Sequence, residues 1–586
     1  MLSDTELDLT AEQREICRAV ADAATGAAIK VQAFAGTGKT TTLAAVAAAC
    51  PRRRFLYVVF NRAAAADARR KMPANVEVRT AHSVAYRQVG HLYTGRLTER
   101  SWQWLTYLRE KMPRALDSVA RSGRDASSAG ALIIRTIEQY LRSVDVELGP
   151  EHVPRWCGEG LAQVTATAAS FLWQNIRNPN STAPVTHDCY LKLFYLQNCQ
   201  LAPIDTIVML DEAQDADPVI FALVRRHPGT RIVVGDTYQQ LYQWRGAVNA
   251  LDSFETNPLE LALTQTFRFG GLTAQWANRV LAICGEKLRI APAAHATEVR
   301  IDFAPADVEA TLARSNAGAL DQAVAALDRR RKVHVMGGAA PLIKLVRDAY
   351  GLYCGKPGSG ELAVFNSWSE LKAAGQGDRS GSGGDPSLQI LVNLIEDRGA
   401  RVLDTCERLE ACVESPDDAQ VTVSTVHKAK GLEWERVAVA EDLSPFVRKS
   451  EGKPKLLFEE ACVMYVALTR AKRELVLHPD CLEAIEASGK MVGITEALSV
   501  SGIATEPATT APRKDSKSDR DGRARSGRRD LWQTGGAPPV MIVYDRDQGI
   551  GEIPENLRGR AERRPRRKSR RHIRRGRVQS DPTSKS

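Results

Sequence analysis

The sequence of 586 residues contains no uninterrupted apolar run that approaches the roughly 20 residues of a membrane-spanning helix. Its first ten residues, MLSDTELDLT, are acidic and lack the apolar segment of an export signal. The eleven cysteines occur singly, without a Cys-x-x-Cys pair or a regular spacing to histidine, which argues against a disulfide framework and a zinc site. We therefore expect a cytoplasmic protein with reduced, mostly buried thiols and no membrane partner.

Positive charge is concentrated near one end of the chain. The net charge is +10, and residues 558–577 hold 12 Lys or Arg and one acidic residue, which leaves −1 for everything else. Any contact that the rest of the chain makes with a polyanion must then come from a local arrangement of its basic residues. Residues 483–586 are rich in Ser, Pro, Gly, Arg and Lys, so we predict a mostly disordered basic tail, which either contacts a polyanion or is a solubilising extension.

Short apolar runs alternate with helical patterns, which predicts an α/β fold with doubly wound parallel sheets. The predicted strands form two sets: VQAF (31–34), FLYVVF (55–60), DTIVML (205–210) and RIVV (231–234), then VRIDF (299–303), KVHV (332–335), VTVST (421–425), RVAVA (436–440) and ELVLH (474–478).

Two helical insertions interrupt these sets. In the first, the apolar residues Ile133, Ile137, Tyr140, Leu141 and Val144 share one face of a helix. We predict a first α/β domain at 1–94 and 184–248 with an insertion at 95–183, and a second α/β domain at 249–340 and 419–482 with a shorter insertion at 341–418.

A glycine-containing loop, AFAGTGKT (33–40), lies between a predicted strand and a predicted helix that spans Thr40–Ala49. Backbone amides at such a helix N-terminus form a concave site for phosphate oxygens. Lys39 adds a positive charge for the β and γ phosphates, and the Thr40 hydroxyl is a candidate Mg²⁺ ligand. Taken alone, the loop is also compatible with a plain glycine-rich turn.

Two adjacent carboxylates follow the apolar strand in VMLDEAQD (208–215). Ligands bind at the carboxyl edge of such a sheet, so Asp211 is a candidate Mg²⁺ ligand and Glu212 a candidate base for the attacking water. An acidic loop after a strand is common by itself. The two motifs together, in this order and strand context, predict a nucleoside triphosphatase.

Four further stretches resemble the third to sixth motifs of superfamily 1 helicases of the UvrD/Rep type. They are VVGDTYQQLYQWRGA (233–247), LTQTFRFG (263–270), VSTVHKAKGLEWERV (423–437) and MYVALTRAKREL (464–475). Within that group the chain resembles the helicase part of the F-box DNA helicases, through FNRAAAADARRKMP (60–73), TAHSVAY (80–86) and THDCYLKLF (186–194). No F-box precedes these motifs, so we do not expect ubiquitin-ligase assembly.

The resemblance implies two RecA-like domains, ATP and Mg²⁺ as cofactors, and specific roles for matched residues. Gln239 matches a γ-phosphate sensor, and Arg268 and Arg470 match arginines that the second domain supplies across the cleft. These three join Lys39, Asp211 and Glu212 as the candidate catalytic set. The candidate nucleotide-binding set is Gln13, Ala35, Gly36, Thr37, Gly38, Lys39, Thr40, Thr41 and Glu433, where Gln13 matches an adenine-reading glutamine and Glu433 a ribose-contacting glutamate.

Aromatic and polar residues of the same motifs are candidates for DNA contact. Tyr242 and Trp244 follow Gln239 closely, and bases stack on such rings without sequence preference. Phe60, Asn61, His82, Arg245 and His427 match DNA-contacting or coupling positions of the family. The expected partners are single-stranded DNA and its junctions with duplex DNA, with recombinase or repair proteins as further candidates.

Three hypotheses for function follow. The first is a DNA helicase and single-strand translocase of repair or recombination, with 3′ to 5′ polarity implied by the resemblance, a monomer or weak oligomer associated with the nucleoid. The second is a translocase that removes recombinase or other proteins from single strands and unwinds little. The third, from another class, is an ATP-switched nucleic-acid-binding module.

Overall fold

The computed structural model describes residues 9–59, 62–241, 249–303, 305, 307–376, 386–443, 446–450 and 453–493. The predicted basic tail lies outside the described residues from residue 494 onward. Among the helices that are described, none combines the length and hydropathy that crossing a bilayer requires.

The elements alternate along most of the chain between strand and helix. The strands are β1 (Ala28–Ala33), β2 (Arg54–Val59), β3 (Val76–Thr80), β4 (Thr206–Leu210), β5 (Arg231–Gly235), β6 (Leu259–Leu263), β7 (Glu298–Ile301), β8 (Ala310–Ala313), β9 (Val333–Val335), β10 (Val421–Thr425), β11 (Trp434–Val439), β12 (Val447–Ser450), β13 (Lys453–Leu456) and β14 (Ala471–Leu477). The helices are α1 (Ala11–Ala21), α2 (Lys39–Ala49), α3 (Arg62–Lys71), α4 (Ala81–Gln88), α5 (Gln103–Lys111), α6 (Pro113–Ala120), α7 (Ala126–Arg142), α8 (Glu159–Arg177), α9 (His187–Leu196), α10 (Pro218–Arg225), α11 (Gly271–Ile283), α12 (Asn316–Asp328), α13 (Ala339–Tyr353), α14 (Trp368–Gln376), α15 (Pro386–Arg398), α16 (Arg401–Leu409), α17 (Phe458–Leu468) and α18 (Pro479–Met491).

Two six-stranded parallel sheets organise the molecule. The first has the order β3-β2-β4-β5-β1-β6 and the second the order β7-β14-β11-β8-β10-β9. Every residue of β4 and of β10 is buried, as expected for parallel strands covered on both faces. The sheets confirm the predicted α/β fold of two RecA-like lobes. A separate antiparallel hairpin joins β12 to β13.

The first sheet separates two apolar cores because side chains alternate along each strand. Phe55 and Tyr57 of β2 pack with α2 through Val46. Leu56 and Val58 of the same strand belong to the core of the first helical insertion, which includes Trp104. The insertion is therefore anchored on one face of the first sheet, and α1 and α2 cover the other.

The predicted apolar face of the first insertion is confirmed for the four positions within α7, where Ile133, Ile137, Tyr140 and Leu141 are buried. Val144 is an exception, since the helix ends at Arg142 and Val144 is 44% exposed. Lys192 binds the carbonyls of Ser143 and Asp145 through Nζ at 2.6 and 2.7 Å, so the chain after α7 turns away from the helical path.

The boundaries of the lobes differ in two places from the predicted ranges. β6 pairs with β1 in the first sheet, although residues 249–340 were assigned to the second domain. Its Leu263 is buried in the core of the first lobe, which explains why the strand stays with that sheet. At the other end, α18 continues to Met491, beyond residue 482, because Cys481, Ala484 and Ile485 fill the core of the second lobe.

Candidate active site

The phosphate-binding loop follows β1, at the carboxyl edge of the first sheet. Gly36 and Gly38 have φ angles of 74° and 78°, which residues with a side chain rarely adopt, and α2 begins directly after them at Lys39. The Thr37 hydroxyl donates to the carbonyl of Phe34 at 2.8 Å and holds the turn. The loop thus opens the N-terminus of α2, with Thr40 and Thr41 in its first turn, toward the edge where phosphate binds.

The predicted acidic pair lies beside this loop. Oδ2 of Asp211 accepts hydrogen bonds from the hydroxyls of Tyr57 at 2.5 Å and Thr40 at 3.3 Å. Glu212 has a φ of 51°, a left-handed conformation that non-glycine residues adopt mainly at constrained sites. Its Oε1 lies 3.9 Å from Nζ of Lys39. The loop lysine and both carboxylates therefore occupy one site.

The pKa values of the two carboxyl groups are shifted in opposite directions. Burial, reinforced by the charge of Glu212, raises the pKa of Asp211. Burial also acts against ionisation of Glu212, but the positive charges of Lys39 and Lys430 outweigh it and lower the pKa of Glu212. Glu212 is consequently ionised at neutral pH, as a group that takes a proton from water must be.

The oxygen atoms of Thr40 and Asp211 fit a magnesium ion. Mg²⁺ prefers oxygen ligands and is commonly held by one or two protein oxygens together with substrate phosphates. Within the described ranges, no group of three or more His, Cys, Asp or Glu side chains is arranged to hold a metal by itself. A hydroxyl and a buried carboxylate next to a phosphate-binding loop are therefore a suitable partial ligand set for magnesium.

Gln239 lies at the end of a short 3₁₀ turn, Thr237–Gln239, that follows β5. It is 5% exposed, and its Nε2 donates to Oδ2 of Asp236 at 2.7 Å. Its Oε1 accepts from Nη2 of Arg470 at 3.5 Å. The predicted sensor of the first lobe and one predicted arginine of the second are thus in direct contact.

The second lobe brings Arg268 to the phosphate loop and Arg470 to Gln239. A Cβ placed on Gly36 would lie only 2.6 Å from Cβ of Arg268, so this arginine passes directly over the loop. Arg268 donates to Oε2 of Glu433 at 2.7 Å and to the carbonyl of Thr469 at 3.1 Å. Burial, with Arg268 nearby, lowers the pKa of Arg470 to about 9.

Gln13 lies beside the loop, and both the oxygen and the nitrogen of its side-chain amide form hydrogen bonds within the protein. Its Oε1 accepts from the backbone N–H of Thr10 at 3.0 Å in a capping box that begins α1. Its Nε2 donates to Oγ1 of Thr42 at 3.0 Å. Nε2 of Gln13 would lie 3.4 Å from a Cβ built on Gly38, so the side chain is next to the loop, and its role in reading adenine stays a prediction.

Four residues of this site are not in the predicted set. Lys430 donates to the carbonyl of Gln239 at 2.6 Å and to Oδ2 of Asp215. Tyr465 and Asp236 form a buried hydrogen bond across the two lobes. Phe267 is 54% exposed, and its ring approaches a Cβ built on Gly38 to 3.7 Å. Each lies within a few residues of a predicted site residue, which was the available signal.

Of the seven residues predicted to contact DNA, the structure describes two, His82 and His427. His82 pairs with Asp188, with 2.9 Å between Nε2 and Oδ1, on the first lobe. His427 lines a cavity of about 2120 Å³ between the two insertions and the second lobe. Phe60, Asn61, Tyr242, Trp244 and Arg245 lie outside the described residues.

The cavity that contains His427 has a mixed lining. Its charged side chains include Arg135, Arg142, Arg155, Arg314 and Lys428, together with Glu138, Asp145, Glu151, Glu361 and Glu459. Trp102 also lines it and is 57% exposed. The cavity offers individual cations and an accessible ring rather than a uniformly basic surface.

Comparison with known proteins identifies relatives over most of the chain. Residues 16–245 match the AAA domain, and residues 389–479 match the UvrD-like helicase C-terminal domain. F-box DNA helicase 1 of Gallus gallus is 29% identical over 523 residues, which are 83% of this chain and 50% of that protein. F-box DNA helicase protein 1 of Schizosaccharomyces pombe is 29% identical over 513 residues, 80% of this chain and 57% of that protein. The chain thus spans about half of the length of these relatives.

Proposed function

We propose that the chain, which matches the AAA domain and the UvrD-like helicase C-terminal domain, is an ATP-dependent DNA helicase of the UvrD-like superfamily 1 type that moves along single-stranded DNA from 3′ to 5′. One observation carries this proposal: Arg268 and Arg470 of the second lobe meet the phosphate loop and Gln239 of the first. A triphosphate bound there would be contacted by both lobes, so its hydrolysis would change how the lobes are held together.

The residues of the first lobe bind the triphosphate and prepare the water. Lys39 and the N-terminus of α2 offset phosphate charge. Thr40 and Asp211 would hold Mg²⁺, which would neutralise charge on the phosphate oxygens. Glu212, which is ionised, accepts a hydrogen bond and then a proton from the attacking water, and Gln239 orients that water.

The second lobe supplies the positive charge that the reaction requires. In related enzymes an arginine that stabilises charge on the transferred phosphoryl group contributes about 10³- to 10⁵-fold in rate. We propose this role for Arg470 and Arg268, with Glu433 holding the Arg268 guanidinium and contacting the ribose. Phe267 provides an exposed ring on which the adenine base stacks.

Single-stranded DNA is proposed to lie in the cavity lined by His427. Lys428 and Arg155 are available for phosphate contacts there, and Trp102 for base stacking, which is worth about 1–3 kcal/mol per base and tolerates any sequence. Because the lining carries charges of both signs, it favours binding of DNA through contacts of individual side chains over general electrostatic attraction.

ATP hydrolysis and strand separation measured together test the proposal. The full chain is incubated with substrates that carry a 3′ tail, a 5′ tail or blunt ends. We expect single-stranded DNA to stimulate ATP hydrolysis and unwinding to require the 3′ tail. A rate of ATP hydrolysis that does not change when DNA is added would contradict the proposal. Stimulated hydrolysis with clearance of a protein filament but without unwinding would replace it with the protein-removing translocase.

A further inference from the structure

A tyrosine of the second lobe contacts two functional segments of the first. Tyr465 lies in α17 and is fully buried. Its hydroxyl accepts a hydrogen bond from the backbone N–H of Ala35 in the phosphate loop, at 3.1 Å, and donates to Oδ2 of Asp236 at 3.0 Å. One hydroxyl therefore joins the phosphate loop to the residue that follows β5.

Asp236 in turn fixes the orientation of Gln239. Nε2 of Gln239 donates to the same Oδ2, at 2.7 Å. Because the amide nitrogen donates and the amide oxygen accepts, this bond directs Oε1 of Gln239 to the other side, where Nη2 of Arg470 lies 3.5 Å away. Three hydrogen bonds thus connect the backbone amide of Ala35 to the side-chain amide nitrogen, Nε2, of Gln239.

The ring of Tyr465 is buried among other aromatic side chains. It packs at 69° to that of Tyr238, with 6.2 Å between centroids, and Tyr238 stacks on Phe34. Buried hydrogen bonds are electrostatically stronger in such an environment, and a partner left without its bond is costly. Tyr465 and Arg470 are five residues apart in the chain, so one short segment of the second lobe holds both ends of this connection.

We propose that Tyr465 is a positioning residue, whose hydroxyl holds the phosphate loop and Asp236 in one arrangement and thereby orients Gln239 toward Arg470. The inference rests on the proposed function, since positioning matters only if this cleft hydrolyses ATP. The shape of the phosphate loop then depends on the second lobe being docked, which links the closure of the lobes to the readiness of the site.

The substitution Tyr465→Phe tests the role because it keeps the ring and removes only the hydroxyl. Tyr93→Phe is the matched control: Tyr93 is 3% exposed, and its hydroxyl donates to the carbonyl of Arg177 at 2.9 Å, away from the cleft. In DNA-stimulated ATP hydrolysis by the full chain, we expect kcat of the Tyr465 variant to fall about 10- to 100-fold while KM for ATP changes less than about threefold. We expect kcat and KM of the Tyr93→Phe control to stay near those of the unsubstituted parent chain.

A second substitution shows whether Tyr465 acts through Gln239. In a chain that already carries Gln239→Ala, adding Tyr465→Phe should change kcat by less than about threefold, because residues of one network are not additive. Independent, multiplying effects would overturn the proposal. So would an unchanged kcat, or a loss of folded protein at the assay temperature, measured by circular dichroism, that accounts for the fall in kcat and would assign the hydroxyl to folding.

The rate of ATP hydrolysis by the unsubstituted parent chain distinguishes a failure of the proposed function from a failure of the role of Tyr465. A parent without DNA-stimulated hydrolysis would contradict the proposed function and this inference with it. An active parent with an unaffected Tyr465→Phe variant would contradict only the role of Tyr465.

Discussion

Two contacts between the halves of the chain differ in how their charges are compensated. In the nucleotide cleft, burial lowers the pKa of Arg470 to about 9, and the hydrogen bonds described for its guanidinium end on neutral acceptors such as Oε1 of Gln239. At the contact between the two insertions, Arg124 is only 4% exposed and donates to Oε1 of Glu370 at 2.6 Å and to the carbonyl of Val364 at 3.1 Å.

The difference separates a binding site from a structural contact. A buried cation whose ionised form is disfavoured gains stability when an anion arrives, and a triphosphate is such an anion. Arg124 already has a carboxylate, a carbonyl and the ring of Trp156, which lies 5.2 Å from its guanidinium carbon. We therefore expect the cleft to be sensitive in activity and the insertion contact to be sensitive in stability.

The largest effect should follow from changes at the phosphate loop and the acidic pair. Lys39→Ala removes the charge that faces the phosphates, and Glu212→Gln removes the carboxylate that accepts the proton of the attacking water. Both changes should lower DNA-stimulated ATP hydrolysis by about 10³-fold or more, as measured by steady-state phosphate release. ATP turnover near the parent rate in either variant would remove the basis for the cleft as the active site.

A large effect of another kind is expected at the insertion contact. Arg124→Ala leaves Glu370 without its buried partner, which typically costs about 3–5 kcal/mol of stability. Arg54→Ala is the control, because the Arg54–Asp205 pair is exposed and such pairs contribute about 0–1 kcal/mol. Urea unfolding followed by circular dichroism measures both. Equal stability of the two variants would show that the insertion contact is no more than a surface pair.

A smaller effect is expected at the exposed aromatic ring of the cleft. Phe267→Ala removes the surface proposed to stack on the base, and aromatic contacts of this kind contribute about 0.5–1.5 kcal/mol. KM for ATP should rise about two- to tenfold with little change in kcat. A fall in kcat with unchanged KM would assign Phe267 to the chemistry instead.

The sequence predicted the cleft better than the contacts around it. The strand before the phosphate loop and the strand before Asp211 were evident because buried parallel strands are continuous apolar runs followed by polar turns. Val144 and β6 were misplaced because a helix end and the membership of an edge strand depend on distant partners, Lys192 and β1. Arg124 and Glu370 are 246 residues apart and belong to no periodic pattern, so their pairing carried no local signal.

The roles within the cleft show the same limit. Tyr465 and Lys430 lie inside motifs that the sequence displays, yet their contacts with Ala35, Asp236 and Gln239 arise only when the two lobes are docked. Residue type did not distinguish them, because the apolar parts of tyrosine and lysine side chains commonly pack against other residues whatever their polar ends do.

Single-turnover ATP hydrolysis by Arg470→Ala, with nucleotide binding measured on the same sample, tests most directly whether the second lobe completes the site. We expect ATP to bind within about tenfold of the parent affinity while the hydrolysis step slows by about 10³-fold or more, because the arginine acts on charge that develops in the transition state. Hydrolysis at the parent rate would contradict the account, since the pocket would then function with the first lobe alone.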